Sequence, residues 1–336
     1  MTTTITGDTE MQSNRRRFFV SALGTGLAAA LPMPSRAQPA YPARPINIIV
    51  PFAPGGMTDI LARQLAATIQ RDLKQPGIVD NRLGAGGIIG ADRVAKARAD
   101  GYTLLVTTTA HVVSPAIVKK LPYDTVKDFQ PIALLARTPN VLLVNPTNPA
   151  RSLAQLLAFA RQKGSFTYGS SGTGGTTHLS GELLAAKTGA PLVHVPYKGT
   201  ALALNDLLGG QIDGAFVDAL SAVQYVKAGA LRAIAVSTRE RVAALSEVPT
   251  VAQQGVADYE TEIWIGLYAP AGTPTAIVTR LNALAQRAMG AADFRKVLEE
   301  RGTTAGTLGA DAFSGFVKAE TAKWQSIVAL ARIQPE

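Results

Sequence analysis

Cysteine is absent from the 336 residues, which excludes a disulfide, a thiolate metal site and a cysteine nucleophile. Histidine is almost absent: His111, His178 and His194 are the whole set. They are isolated from one another, give no ligand pair at zinc-binding spacing, and no metal is expected. Aromatics make up 6% and charged residues 17%. The basic excess is scattered and is not interleaved with aromatics along any segment, so no nucleic-acid partner is expected. Nucleotide motifs are missing as well. "GAGGII" (84–89) places Ile89, and "GTGGTT" (172–177) places Thr177, where G-x-G-x-x-G needs its last glycine, and no G-x-x-x-x-G-K-[ST] occurs. No cofactor is called for. Beyond the N-terminus no stretch reaches ~18 uninterrupted apolar residues, so a soluble mature protein is expected.

What is present is a large apolar fraction, 47%, in a chain long enough for two domains rather than one. The N-terminal segment stands apart. "NRRRFFVSALGTGLAAALPMPSRA" (14–37) has a basic start, a short apolar run and a small-residue end. Arg15 and Arg16 before Arg17, Phe18 and Phe19 resemble a twin-arginine export signal, with cleavage expected after Ala37 and a periplasmic destination. The first 37 residues hold four Arg against Asp8 and Glu10, so the net charge of +9 falls to +7 beyond them. That diffuse positive charge helps attract a small acid.

From residue 46 onward apolar runs and helical patterns alternate. "INIIVPF" (46–52) reads as a buried strand, Leu61, Leu65, Ile69 and Leu73 make one helix face, and strands follow at 77–81 and 102–110 around a helix at 86–97. This order predicts an α/β fold with a mainly parallel sheet flanked by helices. "FQPIALLARTPNVLLVNP" (129–146) is long, extended and interrupted by proline, as a crossover between domains would be. The βαβ order then resumes through 238, "ETEIWIGLYAP" (260–270) crosses back, and the tail is helical. Two lobes are expected, 38–140 with 258–336 and 141–257, joined by two crossover segments acting as a hinge, with a ligand between them.

Two glycine turns mark that cleft. "PFAPGGMTD" (51–59) and "SSGTGGTTH" (170–178) each follow a strand and open a helix, the place where α/β sheets bind ligands. In the first, Pro54 stiffens the entry and Gly55 and Gly56 permit close approach. Thr58 reads as an N-cap, and Asp59 suits the first turn and is spaced to pair with Arg63. In the second, the hydroxyls of Ser170, Ser171, Thr173, Thr176 and Thr177 surround Gly172, Gly174 and Gly175, with His178 the nearest titratable group. Backbone N–H groups at a helix start favour an anion, and neutral donors suit a carboxylate bound reversibly. Topology adds Thr108 and His111 after the third strand, Tyr197 in "VPYKGT" (195–200), and Asp218, which binds a ligand or caps the next helix. A seryl hydrolase is the enzyme alternative, although "GSSGT" (169–173) has Thr173 where G-x-S-x-G needs glycine.

Taken together, "YPARPINIIVPFAPGGMTDILAR", "VDNRLGAGGIIGA", "DGYTLL", "YGSSGTGGTTHLSGE", "HVPYKGTALALNDLLGGQID" and "VPTVAQQG" resemble the Bug family, extracytoplasmic solute receptors of tripartite tricarboxylate transport systems. The resemblance runs from about Tyr41 to the last helix. It implies a two-lobed, type II Venus-flytrap periplasmic binding protein that is not an enzyme. A small carboxylate would be held between the lobes, partly through water. Citrate-like acids, dicarboxylates, acidic amino acids and aromatic acids all fall in that range. The gripping loops would be Phe52, Pro54, Gly55, Gly56, Met57, Thr58 and Asp59, and Ser170, Ser171, Gly172, Thr173, Gly174 and His178. The expected protein is a monomer that delivers its ligand to the membrane permease of a tripartite tricarboxylate transporter. An orphan receptor, or one presenting its ligand to a signalling partner, is the alternative output.

Overall fold

A computed structural model describes residues 41–335; the export signal and its cleavage after Ala37 lie outside the described residues. The first strand, β1 (Ile46–Val50), is apolar except for Asn47 because both of its faces are covered. Ile46, Ile48 and Val50 pack into one core with Leu61, Leu65 and Ile69 of helix α1 (Met57–Leu73), while Ile49 faces a second core on the opposite side. Each of those α1 side chains is fully buried and contributes about 1.5–3 kcal/mol through its removal from water.

The chain continues through β2 (Gly77–Asn81), α2 (Ile88–Ala95), β3 (Thr103–Thr108), α3 (Ala110–Ile117) and the sixteen-residue β4 (Phe129–Val144). The second half holds α4 (Leu153–Lys163), β5 (Phe166–Ser170), α5 (Thr176–Thr188), β6 (Leu192–Pro196), α6 (Thr200–Leu208), β7 (Gly214–Asp218), α7 (Ala219–Lys227) and β8 (Arg232–Val236). Then come β9 (Glu262–Pro270), α8 (Thr275–Gly290), α9 (Ala292–Glu300), β10 (Thr304–Ala305) and α10 (Ala310–Leu330).

The strands form two lobes that share β4. The first sheet runs β2-β1-β3-β9-β4 with β10 on β4; the second runs β6-β5-β7-β4-β8. Within each lobe the βαβ strands are parallel, as expected: Ile48 lies opposite Val79 and Leu104, and Gly169 opposite Val195 and Ala215. The crossing strands enter antiparallel, so both sheets are mixed. β4 leaves the first sheet at the Pro139–Glu262 pair and joins the second at Asn140–Asp218. The return passes through Thr261, whose N–H donates to the Ser237 carbonyl. Two elements were not anticipated from sequence. β10 is only two residues long, and α3 contains Pro115, which breaks its helical signature.

Candidate ligand-binding cleft

The first glycine turn leaves β1 at Val50 and enters α1. Gly56 is the N-cap and Thr58 lies inside the first turn, two residues past the position read for it from sequence. The Asp59 carboxylate, 3% exposed, reaches back out of the helix to the Gly55 N–H at 3.0 Å. It also accepts from Arg63 Nε at 2.8 Å and Asn81 Nδ2 at 3.1 Å, and Asn81 in turn donates to the Phe52 carbonyl at 3.0 Å. Burial alone would raise the Asp59 carboxyl, but the hydrogen bonds from Arg63, Gly55 and Asn81 outweigh it and hold it below the usual carboxylate range. Asp59 is therefore a brace that shapes the turn, and Asn81, on the next strand, is a partner that sequence reasoning missed. Gly55 sits at φ +85°, which only glycine adopts without strain.

The second turn leaves β5 and enters α5 through the N-cap Gly175. Its shape is held by a dense local set of bonds. Ser170 Oγ, fully buried, lies 2.7 Å from His194 Nε2, accepts from the Gly172 N–H and donates to the Gly172 carbonyl. The Ser171 N–H and hydroxyl both meet Thr177 Oγ1, and the Gly174 N–H donates to His178 Nδ1 at 3.0 Å. A Cβ on Gly174 would come within 2.5 Å of Ile117 Cδ1, so α3 of the first lobe touches this turn and the two lobes meet here. Thr173 is exposed.

Every helix leaves its first N–H groups without intrahelical partners. Here those of Met57, Thr58 and Asp59, and of Thr176, Thr177 and His178, find no other acceptor among the described residues. Both sets lie at carboxyl ends of strands, beside glycines, with no Lys or Arg in either turn. This arrangement can hold an anion by neutral donors, without burying a countercharge whose desolvation is costly.

The remaining candidates are placed as follows. Thr108 ends β3 and accepts the Ala110 N–H at 3.2 Å. Tyr197 is half-buried and its hydroxyl donates to Asp206 at 2.6 Å; the backbone beside it is tied to the second turn by Tyr197 N–H to Ser170 O and Gly199 N–H to Ser171 O. Asp218 is the N-cap of α7, accepting from Ser221 N–H and hydroxyl and from Thr200 Oγ1. Of the two roles open to it, capping is the one its carboxylate performs here. Ser170 and His194 make the contact an activated serine would need, but Ser170 has no exposed surface and its hydroxyl is already shared with Gly172.

His111 does not line the cleft. It is 3% exposed, packed between Tyr123, Phe129 and Tyr268, and neither ring nitrogen has a partner. Burial pushes it down to about 3. An unfolded imidazole accepts a proton near pH 6.5 while the folded one refuses it until about 3, so stability is unaffected above 6.5 and is lost as pH falls through that window. Urea unfolding at pH 4.5 against pH 7 should show a loss of about 2–3 kcal/mol from this group. His111→Phe should reduce the loss by that amount, and an acid limb equal in both proteins would clear His111 of the effect.

A cavity of about 320 Å³ lies elsewhere, where the crossover segments meet; Arg137, Thr238, Arg239, Arg241, Glu260 and Glu262 line it. It includes no residue of either glycine turn. Arg239 pairs with Glu260 at 2.7 Å and Arg137 with Glu262 at 3.4 Å, and burial raises Glu262 to about 7. With Arg137 and Arg239 paired to its own carboxylates and Arg241 donating to Gln253 and the Ser246 carbonyl, this cavity offers an anion less than the turns do.

Comparison with known proteins agrees with the geometry. Residues 61–332 match the tripartite tricarboxylate transporter family receptor, TctC. BugT of Bordetella pertussis is 36% identical over 291 residues, covering 86% of this chain and 89% of its own. A solved R. palustris protein with adipate is 38% identical, with a TM-score of 0.78 over 88% of this chain and 100% of that one. MatC from Rhodopseudomonas palustris, with bound malate, is 33% identical, with a TM-score of 0.74 over 86% and 100%. The chain therefore belongs to the tripartite tricarboxylate transporter receptor family, of which the Bug proteins are members.

Proposed function

We propose that this protein is a periplasmic receptor that captures a small carboxylate between its lobes and delivers it to the membrane permease of a tripartite tricarboxylate-type transporter. The observation that carries the reading is the pair of glycine turns, each ending a parallel strand, opening a helix and presenting unpartnered N–H donors without a fixed cation. Solved relatives more than 30% identical hold adipate and malate, both linear dicarboxylates that differ in chain length and in malate's hydroxyl. The moving bodies would be 38–140 with 258–336 and 141–257, hinged on the crossings at residues 139–140 and 258–262. Ligand would meet the first turn around Gly56, Met57 and Thr58 and the second around Thr173 and the start of α5. Closure would exclude water and strengthen those hydrogen bonds.

The test is thermal. The protein is unfolded and refolded to strip carried-over ligand, then melted against adipate, malate, citrate, glutamate and benzoate, each beside its amide or ester. An acid at about 100 times its dissociation constant should add about 2.7 kcal/mol to the folded state. An acid that stabilises while its amide does not supports the reading; a flat panel on refolded native protein sinks it.

A further inference from the structure

Behind the second turn stand two of the three histidines in the chain, and they are in contact. The rings of His178, in α5, and His194, in β6, stack with centroids 3.8 Å apart and planes 21° from parallel. Each holds a different part of the turn. His178 Nδ1 accepts the Gly174 N–H at 3.0 Å, so its proton sits on Nε2, which faces Glu182 Oε1 at 3.6 Å. His194 Nε2 holds Ser170 Oγ at 2.7 Å, and that oxygen in turn accepts the Gly172 N–H at 3.1 Å. The platform beneath is rigid. Tyr168 of β5 donates to Glu182 Oε1 at 2.7 Å and reaches the His178 carbonyl at 3.1 Å, and α5 approaches so closely that a Cβ on Gly181 would lie 2.2 Å from the Tyr168 ring.

We propose that the stacked His178–His194 pair is a proton-sensitive brace for the ligand turn: neutral, it locks the turn in the shape that presents the α5 N–H donors to a carboxylate, and a proton taken up at His178 Nδ1 unlocks the turn and weakens binding. The proposal rests on the receptor reading above. Its chemistry is simple. A protonated Nδ1 is a donor, and two donors, it and the Gly174 N–H, cannot share one hydrogen bond. The Gly174 N–H must then turn away from the ring, and the turn moves with it.

Four titratable groups meet here: His178 and Glu182 on α5, His194 on β6 and Tyr168 on β5. Burial would raise the Glu182 carboxyl, but hydrogen bonds from His178 and Tyr168 hold it below the usual range, so it favours a charge on the nearby imidazole. Burial first, and then the adjacent His178, push His194 down to about 4. Stacked imidazoles resist a second charge, and of the two rings His178 is the one that faces Glu182.

The experiment uses the full protein with adipate as the probe, titrated by calorimetry from pH 8 to pH 5, beside His178→Asn, whose Oδ1 can accept the Gly174 N–H and does not titrate. Adipate's own protonation is common to both proteins and cancels in their ratio. A single linked proton changes affinity by at most about tenfold per pH unit. Each measured against its own affinity at pH 7.5, the parent should lose about tenfold more than His178→Asn by pH 5.5. Glycine and histidine ¹⁵N spectra of the ligand-free protein supply the second readout: the Gly174 amide should shift with the His178 titration, and His178 should be the Nε2–H tautomer at pH 8. Parallel affinity profiles in parent and variant, or a Gly174 amide that ignores His178, overturn the brace. If no acid binds at any pH while Gly174 still follows His178, the receptor reading fails and the brace stands.

Discussion

Replacing Gly56 with leucine should lower carboxylate affinity by at least about a hundredfold, roughly 3 kcal/mol, while leaving the fold intact. Unlike Gly55, Gly172 and Gly174, the position is free of backbone demand. Its φ of −74° and ψ of 170° suit any residue, it is exposed, and the nearest atom to an added Cβ is the Ala53 carbonyl oxygen at 3.7 Å. As the N-cap of α1 it stands directly before the free N–H groups of Met57, Thr58 and Asp59, so an isobutyl group there occupies the space a carboxylate would fill. The stability cost is that of exchanging glycine for an apolar N-cap, up to about 1 kcal/mol. Gly174 is a poorer choice for this test. At φ +74° and with Ile117 Cδ1 2.5 Å from an added Cβ, any side chain there strains the turn itself, and lost binding would say nothing about contact. Gly315→Leu, on an exposed and open face of α10, is the matching control and should bind like the parent. If Gly56→Leu binds adipate or malate as the parent does, the first turn is not part of the site.

The sequence revealed most of what depends on local pattern and little of what depends on distant pairs. The strands at 46–50 and 166–170, the four-residue apolar spacing in α1 and the long extended stretches at 129–146 and 260–270 were legible, because burial and helical periodicity leave direct local marks. The glycine turns were visible for the same reason. Helix α3 was not, since Pro115 and the run Thr107–Thr109 read as the end of a strand, and that omission put His111 in the cleft rather than in the core. The bracing partners were invisible for a different reason. Asn81 is 22 residues from Asp59, and His194 is 24 from Ser170; only the parallel pairing of β1 with β2 and of β5 with β6 brings them together, and no local signal encodes it. Asp59 shows the intermediate case. Its i,i+4 bond to Arg63 could be read from spacing, whereas its bond back to the Gly55 N–H, which gives it a supporting role in the turn, could not.

The largest loss of stability should come from Glu320→Ala, about 3–6 kcal/mol, enough to threaten a fold whose total stability is about 5–15 kcal/mol. Glu320 is 5% exposed in α10, and one of its carboxylate oxygens accepts two indole N–H bonds, from Trp264 and Trp324, both at 2.9 Å. The other oxygen accepts from Lys323 at 2.7 Å. Trp264 lies in β9, the returning crossover strand, and both tryptophans are fully buried, so this one side chain fastens α10 to the strand by which the chain re-enters the first lobe. Alanine leaves two buried N–H donors without acceptors, each costing about 1–3 kcal/mol, in addition to the space vacated. Glutamine separates this account from a general need for bulk or charge. With its amide oxygen turned toward the indoles it keeps both of their bonds and gives up only the half-exposed contact with Lys323, so Glu320→Gln should lose no more than about 1–2 kcal/mol. Guanidinium unfolding monitored by tryptophan fluorescence reports on the two indoles involved. Equal losses in the alanine and glutamine proteins would show that the charge on Glu320, and not its double acceptance, holds α10 in place.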